Sequence, residues 1–193
     1  MSISVLPPMR TSPPPPAVAT EPRGGDGRGQ VARTGVWIGI GAISMTFAAL
    51  TSALVVRASG APDWHHLHLP ALLYVNTLVL LGSSITVEIG RRRRAVSGLS
   101  LTIVLGGLFV VGQVFAWRQL ITQQVAGPSA AFFYVLTVLH AAHVLGGMTG
   151  LVYVQHRMRT GVVSMVPYQA AALYWHFMAI LWLYLLTLLT IRG

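Results

Sequence analysis

The run LPALLYVNTLVLLGSSITVEIGRRRR, Leu69 to Arg94, decides the architecture of this chain. Between Asp63 and Glu88 lie 24 uncharged residues, and four consecutive arginines follow shortly after. A helix needs roughly 20 predominantly apolar residues to cross the hydrocarbon core of a bilayer. The run therefore predicts a membrane span over residues 69–90, closed by a block of positive charge. Working outward, Arg94 and Arg118 bracket 23 uncharged residues, as do Arg33 and Arg57, which predicts spans over 96–118 and 34–56. The 38 uncharged residues between Arg118 and Arg157 hold a short loop at Gly127-Pro128 and a span over 129–156. The 32 between Arg159 and Arg192 hold a connector with Pro167 and a span over 170–191. In lipid each backbone N–H and C=O must be satisfied within its own segment, which selects helices. Alternating strands of about ten residues, the mark of a barrel, are absent. The expectation is an all-α polytopic membrane protein, with five transmembrane helices bundled in a domain over 33–193.

Composition agrees. Only 9% of the 193 residues are charged, against about a quarter in a soluble domain. The 13 basic residues are all arginine, and they cap spans rather than forming a stripe with aromatic residues. The net charge of +9 therefore points to membrane topology, not to nucleic acid. With no cysteine, disulfides, thiolate metal sites and cysteine nucleophiles are excluded. Residues 1–32 are rich in proline and glycine, including Pro13-Pro14-Pro15-Pro16, and read as a disordered tail. The tail lacks an apolar core with a small-residue cleavage site, so the first span is expected to be its own targeting signal. The tail, the loop at Arg91–Arg94 and the loop with Arg157 and Arg159 share one side and hold ten arginines, against three on the other. The positive-inside bias then puts the N-terminus in the cytoplasm and the C-terminus outside. Trp64 and Trp117 near outer span ends, and Trp37, Tyr168 and Trp175 near inner ends, are expected as interfacial anchors.

Polar residues at membrane depth are costly and need a reason. In the second span, Thr77, Ser84 and Glu88 fall on one stripe at 100° per residue, with Asn76 and Ser83 beside it. Such a flank is expected to face other helices, with Glu88 paired to Arg91 or Arg92. In the fourth span, His140 and His143 project from one face, and Ala142, Gly146 and Gly150 form a small-residue seam for close helix approach. The fifth span carries Tyr174-Trp175-His176-Phe177, which puts His176 at a depth similar to His143 and near Glu88. These histidines have three readings: bonds to neighbouring helices or lipid phosphates, a bis-histidine b-type haem site, or a metal site poor in donors. His65, His66 and His68 fall in an outer loop, where they are expected to be solvated. No nucleophile–base pair, phosphate loop or paired intramembrane carboxylate is present, so no residue is assigned as catalytic. A small permease is a remaining reading, though the interrupted helices typical of transporters are missing.

Three blocks carry a family resemblance: Leu69 to Arg94, FFYVLTVLHAAHVLGGMTGL from Phe132 to Leu151, and YWHFMAILWL from Tyr174 to Leu183. Gly112-Gln113 and the stretch from Phe47 to Arg57 support them. Together they resemble subunit III of the haem–copper oxidases, in its five-helix form. The resemblance implies a non-catalytic subunit of a respiratory terminal oxidase in the bacterial inner membrane, itself without haem or copper. It implies partners in oxidase subunits I and II, bound phospholipid, and support for proton uptake during oxygen reduction. Glu88, Arg91, Arg92, His140, His143, Trp175 and His176 would then be structural and lipid-contacting, and Asn76, Ser83, Ser84, Ala142, Gly146 and Gly150 helix-packing. The electron donor, cytochrome c or quinol, belongs to other subunits. The sequence departs from the family where many members have carboxylates: here Ile43 or Ser44, Ala116 and Ala179 occupy those places.

Overall fold

A computed structural model describes residues 24–60, 69–93, 95–122, 127–161 and 165–192. Five helices follow in order: α1 (Gly24–Gly60), α2 (Ala71–Arg93), α3 (Val96–Thr122), α4 (Pro128–Arg159) and α5 (Met165–Arg192). Each contains a segment long and apolar enough to cross a membrane, and no strand occurs among the described residues. At 1.5 Å per residue even α2 is about 35 Å long, enough for the hydrocarbon core.

The helices overrun the expected boundaries by a few residues at most ends. Once a helix is nucleated, each further turn is cheap. The largest overrun is at α1, which begins at Gly24, inside the segment expected to be disordered. Residues 1–23 lie outside the described residues, as do Trp64, His65, His66 and His68. Proline marks two helix starts. Pro128 is the first residue of α4, and Pro167 sits in the first turn of α5 rather than in a connector. The first N–H groups of a helix have no intrahelical partner, so proline loses nothing there.

α5 is the hub. It packs against α1, α2 and α4, while α3 packs between α2 and α4. Half of the α5 span is buried, against 17% of the α1 span, which lies at the edge of the bundle. The α2–α3 hairpin is the tightest crossing. Its turn is closed by the Ala95 N–H on the Gly90 carbonyl at 3.1 Å. The two backbones approach so closely that a methyl group on Gly98 would sit 2.5 Å from the Gly90 Cα. The core is apolar and aromatic, built around Phe47, Phe109, Phe133, Tyr168, Trp175 and Trp182.

Tyr168 and Trp175 are fully buried, which corrects their reading as interfacial anchors. An interfacial ring needs one wet end, whereas these two direct their polar tips at α2. Trp37 is exposed, and the half-buried Trp117 bonds to α4. At the three positions where family members carry acids, Ala116 and Ala179 are buried in the core, Ile43 packs on its edge, and Ser44 is exposed. A carboxylate at Ala116 or Ala179 would need a buried partner to be tolerated.

Candidate functional site

Two polar systems emerge from the bundle. The first is a series of bonds between helices in which an aromatic donor meets a serine or threonine hydroxyl. Trp175 Nε1 donates to Ser83 Oγ at 3.0 Å, and Ser83 passes its own proton to the Leu80 carbonyl at 2.6 Å. Trp182 Nε1 donates to Thr77 Oγ1 at 2.9 Å, and Thr77 donates to the Leu73 carbonyl at 2.7 Å. The same arrangement joins Trp117 of α3 to Thr137 of α4 at 2.9 Å, and Tyr184 of α5 to Thr51 of α1 at 3.0 Å. Where water is excluded, an N–H or O–H without an acceptor is costly. A hydroxyl bonded back to its own helix keeps lone pairs free for a neighbouring helix.

Tyr168, Trp175 and Trp182 stand seven residues apart on α5, so they share one face. Tyr168 completes the set by donating to the Val87 carbonyl of α2 at 3.3 Å. This heptad was legible as spacing in the sequence, but its partners on α2 were not. The Trp175 indole also needs two gaps in its neighbours. A methyl group at Gly106 of α3 would lie 2.8 Å from its ring, and one at Gly147 of α4 would lie 3.3 Å from it. Asn76 links α2 to α3, donating to the Phe109 carbonyl at 2.9 Å and to Gln113 Oε1 at 3.4 Å.

The second system is at the arginine-rich end. Arg91 grips Glu88 with two N–H groups, at 2.6 and 2.8 Å, and Arg92 adds a third contact at 2.7 Å. His176 Nε2 stands 3.8 Å from the Glu88 carboxylate. Beside this cluster lies a cavity of roughly 340 Å³, lined by Arg33, Trp37, Glu88, Arg91, Gln169 and His176 among others. A cavity with two guanidinium groups, an imidazole and an apolar wall fits a phosphate group carried on an apolar tail.

The candidate residues therefore divide. Glu88, Arg91, Arg92 and His176 come together, while Trp175, Asn76 and Ser83 join helices. Ser84 is buried with no hydrogen-bond partner among the described residues. His140 and His143 belong to neither system, and both face Phe47 of α1, with ring centroids 6.5 and 5.8 Å away. His143 turns its Nδ1 onto the Leu139 carbonyl of its own helix at 2.7 Å. His140 is enclosed by Phe47, Phe109 and Trp182. An axial haem ligand needs a nitrogen facing an open slot for the macrocycle, and this ring faces packed aromatic side chains. Among the described residues no cluster of three or more His, Cys, Asp or Glu side chains could hold a metal ion.

Among the described residues, no helix of this chain fills the small-residue seam of α4. Ala142 and Gly146 are exposed, and a methyl group on Gly146 or Gly150 would meet nothing within 4 Å. The face of α4 that packs inside the chain lies on a different side of the helix, through Ala141, Val144, Gly147, Leu151 and Val154. Apolar bulk at Val144 and Leu151 draws that face into the core, leaving the seam outward.

Comparison with known proteins places these blocks. Residues 43–193 match the family described as Cytochrome c oxidase subunit III. The chain is 35% identical over 134 residues to the Cytochrome c oxidase subunit 3 of Corynebacterium diphtheriae, covering 62% of this chain and 64% of that protein. It is 35% identical over 128 residues to a probable cytochrome c oxidase subunit 3 of Mycobacterium tuberculosis, covering 58% and 62% respectively. The corresponding protein of Rickettsia conorii is 33% identical over 132 residues, covering 62% and 47%. The chain thus spans a little under two thirds of the length of the curated relatives it matches best among these. Five membrane-crossing helices and bacterial relatives of this kind make it a multi-pass protein of the bacterial inner membrane. Matched over most of its length and carrying the motif blocks in its packed helices, the chain belongs to the cytochrome c oxidase subunit III family.

Proposed function

We propose that this chain is the non-catalytic third subunit of a respiratory haem–copper terminal oxidase, seated beside subunits I and II. Family membership supports the reading, and one structural observation carries it. Several polar side chains at membrane depth join helices, as at Trp175–Ser83, Trp182–Thr77 and Asn76–Phe109, rather than converging on a reacting group. Haem and copper belong, on this reading, to the partner subunits. The chain contributes a rigid membrane wall that stabilises subunit I and supports its proton uptake. Its N-terminus lies in the cytoplasm, since ten arginines fall on that side and three on the other.

The cavity beside Glu88 is assigned to a phospholipid, its phosphate between Arg33, Arg91 and His176 and its tails along the groove of Gly146, Gly150 and Tyr174. Val36 and Ala170 line both the polar cavity and this apolar groove, so the two are neighbours along the α1–α5 contact. The decisive experiment is extraction in a gentle detergent. A larger subunit bearing haem and copper travels with the chain, and turnover declines faster once the chain is stripped away. Recovery of the chain as a lone, stable species, or a reduced-minus-oxidised haem spectrum from the isolated chain, would overturn the assignment.

A further inference from the structure

Gln113 of α3 and His140 of α4 are both fully buried. Among the described residues, no hydrogen-bond partner reaches Gln113 Nε2 or either ring nitrogen of His140. Each such group, left bare in an apolar interior, carries the full penalty of lost hydration. Their positions make one remedy serve both. Phe109, one turn before Gln113 on α3, meets the His140 ring with centroids 6.0 Å apart. Trp117, one turn after Gln113, bonds to Thr137, three residues before His140 on the antiparallel α4. Gln113 and His140 therefore face the same space between the helices. The Gln113 amide is also oriented, because its Oε1 accepts from Asn76, leaving its NH₂ directed away from α2.

We propose that a single buried water bridges Gln113 Nε2 to a ring nitrogen of His140, extending the Asn76–Gln113 bond into a continuous polar link from α2 through α3 to α4. The water accepts from the amide and donates to the unprotonated imidazole nitrogen, so no group changes its proton. A water is the fitting ligand because the pair offers both a donor and an acceptor, beside an imidazole ringed by Phe47, Phe109 and Trp182. The protonated ring nitrogen is then left among Phe47 and Phe109, whose rings stand at 73° and 82° to the imidazole plane.

The test uses the assembled oxidase. A density map fine enough to show ordered water reveals one peak within hydrogen-bond distance of Gln113 Nε2 and of one His140 nitrogen. That peak disappears in Gln113→Met, with His140 unmoved. In thermal unfolding of the complex, Gln113→Met and His140→Phe each lower the midpoint. The double variant lowers it by less than the sum of the two single losses, because either one already removes the bridge that both singles count. Direct contact between the two side chains, a dry gap between them, or additive losses would refute the bridge. If neither variant assembles, the wild-type map alone decides.

Discussion

Trp175 shows how much one side chain carries in this bundle. Its indole donates to Ser83 of α2 while its benzene edge occupies the gap left by Gly106 of α3. Two substitutions separate these roles. Trp175→Phe removes the N–H and the outer ring atoms, and Ser83 keeps its bond to the Leu80 carbonyl. Loss of the interhelical bond alone is worth about 0.6–1.7 kcal/mol in a membrane, and the vacated volume adds a cavity term. Gly106→Ala places a methyl group 2.8 Å from the indole, an overpacking that costs about 1–3 kcal/mol. The double variant is expected to be more stable than the two losses added together, because the atoms that the methyl group strikes are those phenylalanine lacks. Unfolding of the detergent-solubilised chain in graded denaturant measures the difference. Simple additivity would show that Gly106 does not serve Trp175.

At the scale of the helix, glycines with the same residue name have opposite roles, and the structure sorts them. Gly98 lies against the Gly90 backbone, where neither side can yield. Gly98→Ala is expected to open the α2–α3 hairpin and sharply reduce folded protein, with a loss at or above the upper end of the ~1–3 kcal/mol range for overpacking. Gly146→Ala meets nothing inside the chain, and the change from glycine favours the helix by about 1 kcal/mol. The isolated chain should therefore tolerate it or gain stability, as a thermal melt with both variants in parallel would show. The sequence could not make this distinction. Charge spacing fixed three helices, because it depends only on the thickness of hydrocarbon, glycine and proline signals divided the two longer uncharged runs, and the motif blocks located the family. The side of α4 that packs inward was not legible, since small residues stand on the inward face too, at Ala141 and Gly147, and the outward face carries no charge to mark it. The pairing of Tyr168, Trp175 and Trp182 with α2 was likewise hidden, because the partners lie some 80 to 105 positions away. The pairing of Glu88 with Arg91 and Arg92 was legible, since those residues lie within one helical turn of each other.

For the whole molecule, the polar end of the bundle and its histidines should respond differently to substitution. The His143 ring bonds to its own helix and touches Phe47 of the loosely held α1, while its carbonyl accepts from the Tyr174 hydroxyl of α5. His143→Leu should weaken assembly of the oxidase while leaving the turnover per assembled complex unchanged, as measured by subunit stoichiometry and oxygen consumption on the same sample. The cluster at Glu88 instead tests the lipid. Arg91 faces both the Glu88 carboxylate and the cavity that also holds Arg33 and His176. On the proposed reading, the carboxylate competes with a phospholipid phosphate for the same guanidinium. Glu88→Gln keeps the size of the side chain but ends that competition, and Arg91→Gln removes the cation. Retention of anionic phospholipid by the purified complex should rise in Glu88→Gln and fall in Arg91→Gln. Added salt should weaken it most where the net positive charge is largest, because the site is open to water at its rim. Quantifying phospholipid that survives repeated detergent washing, at low and at moderate ionic strength, measures all three. Equal retention in the two variants would mean that the phosphate is held elsewhere, and that Glu88, Arg91 and Arg92 serve only to close the end of α2.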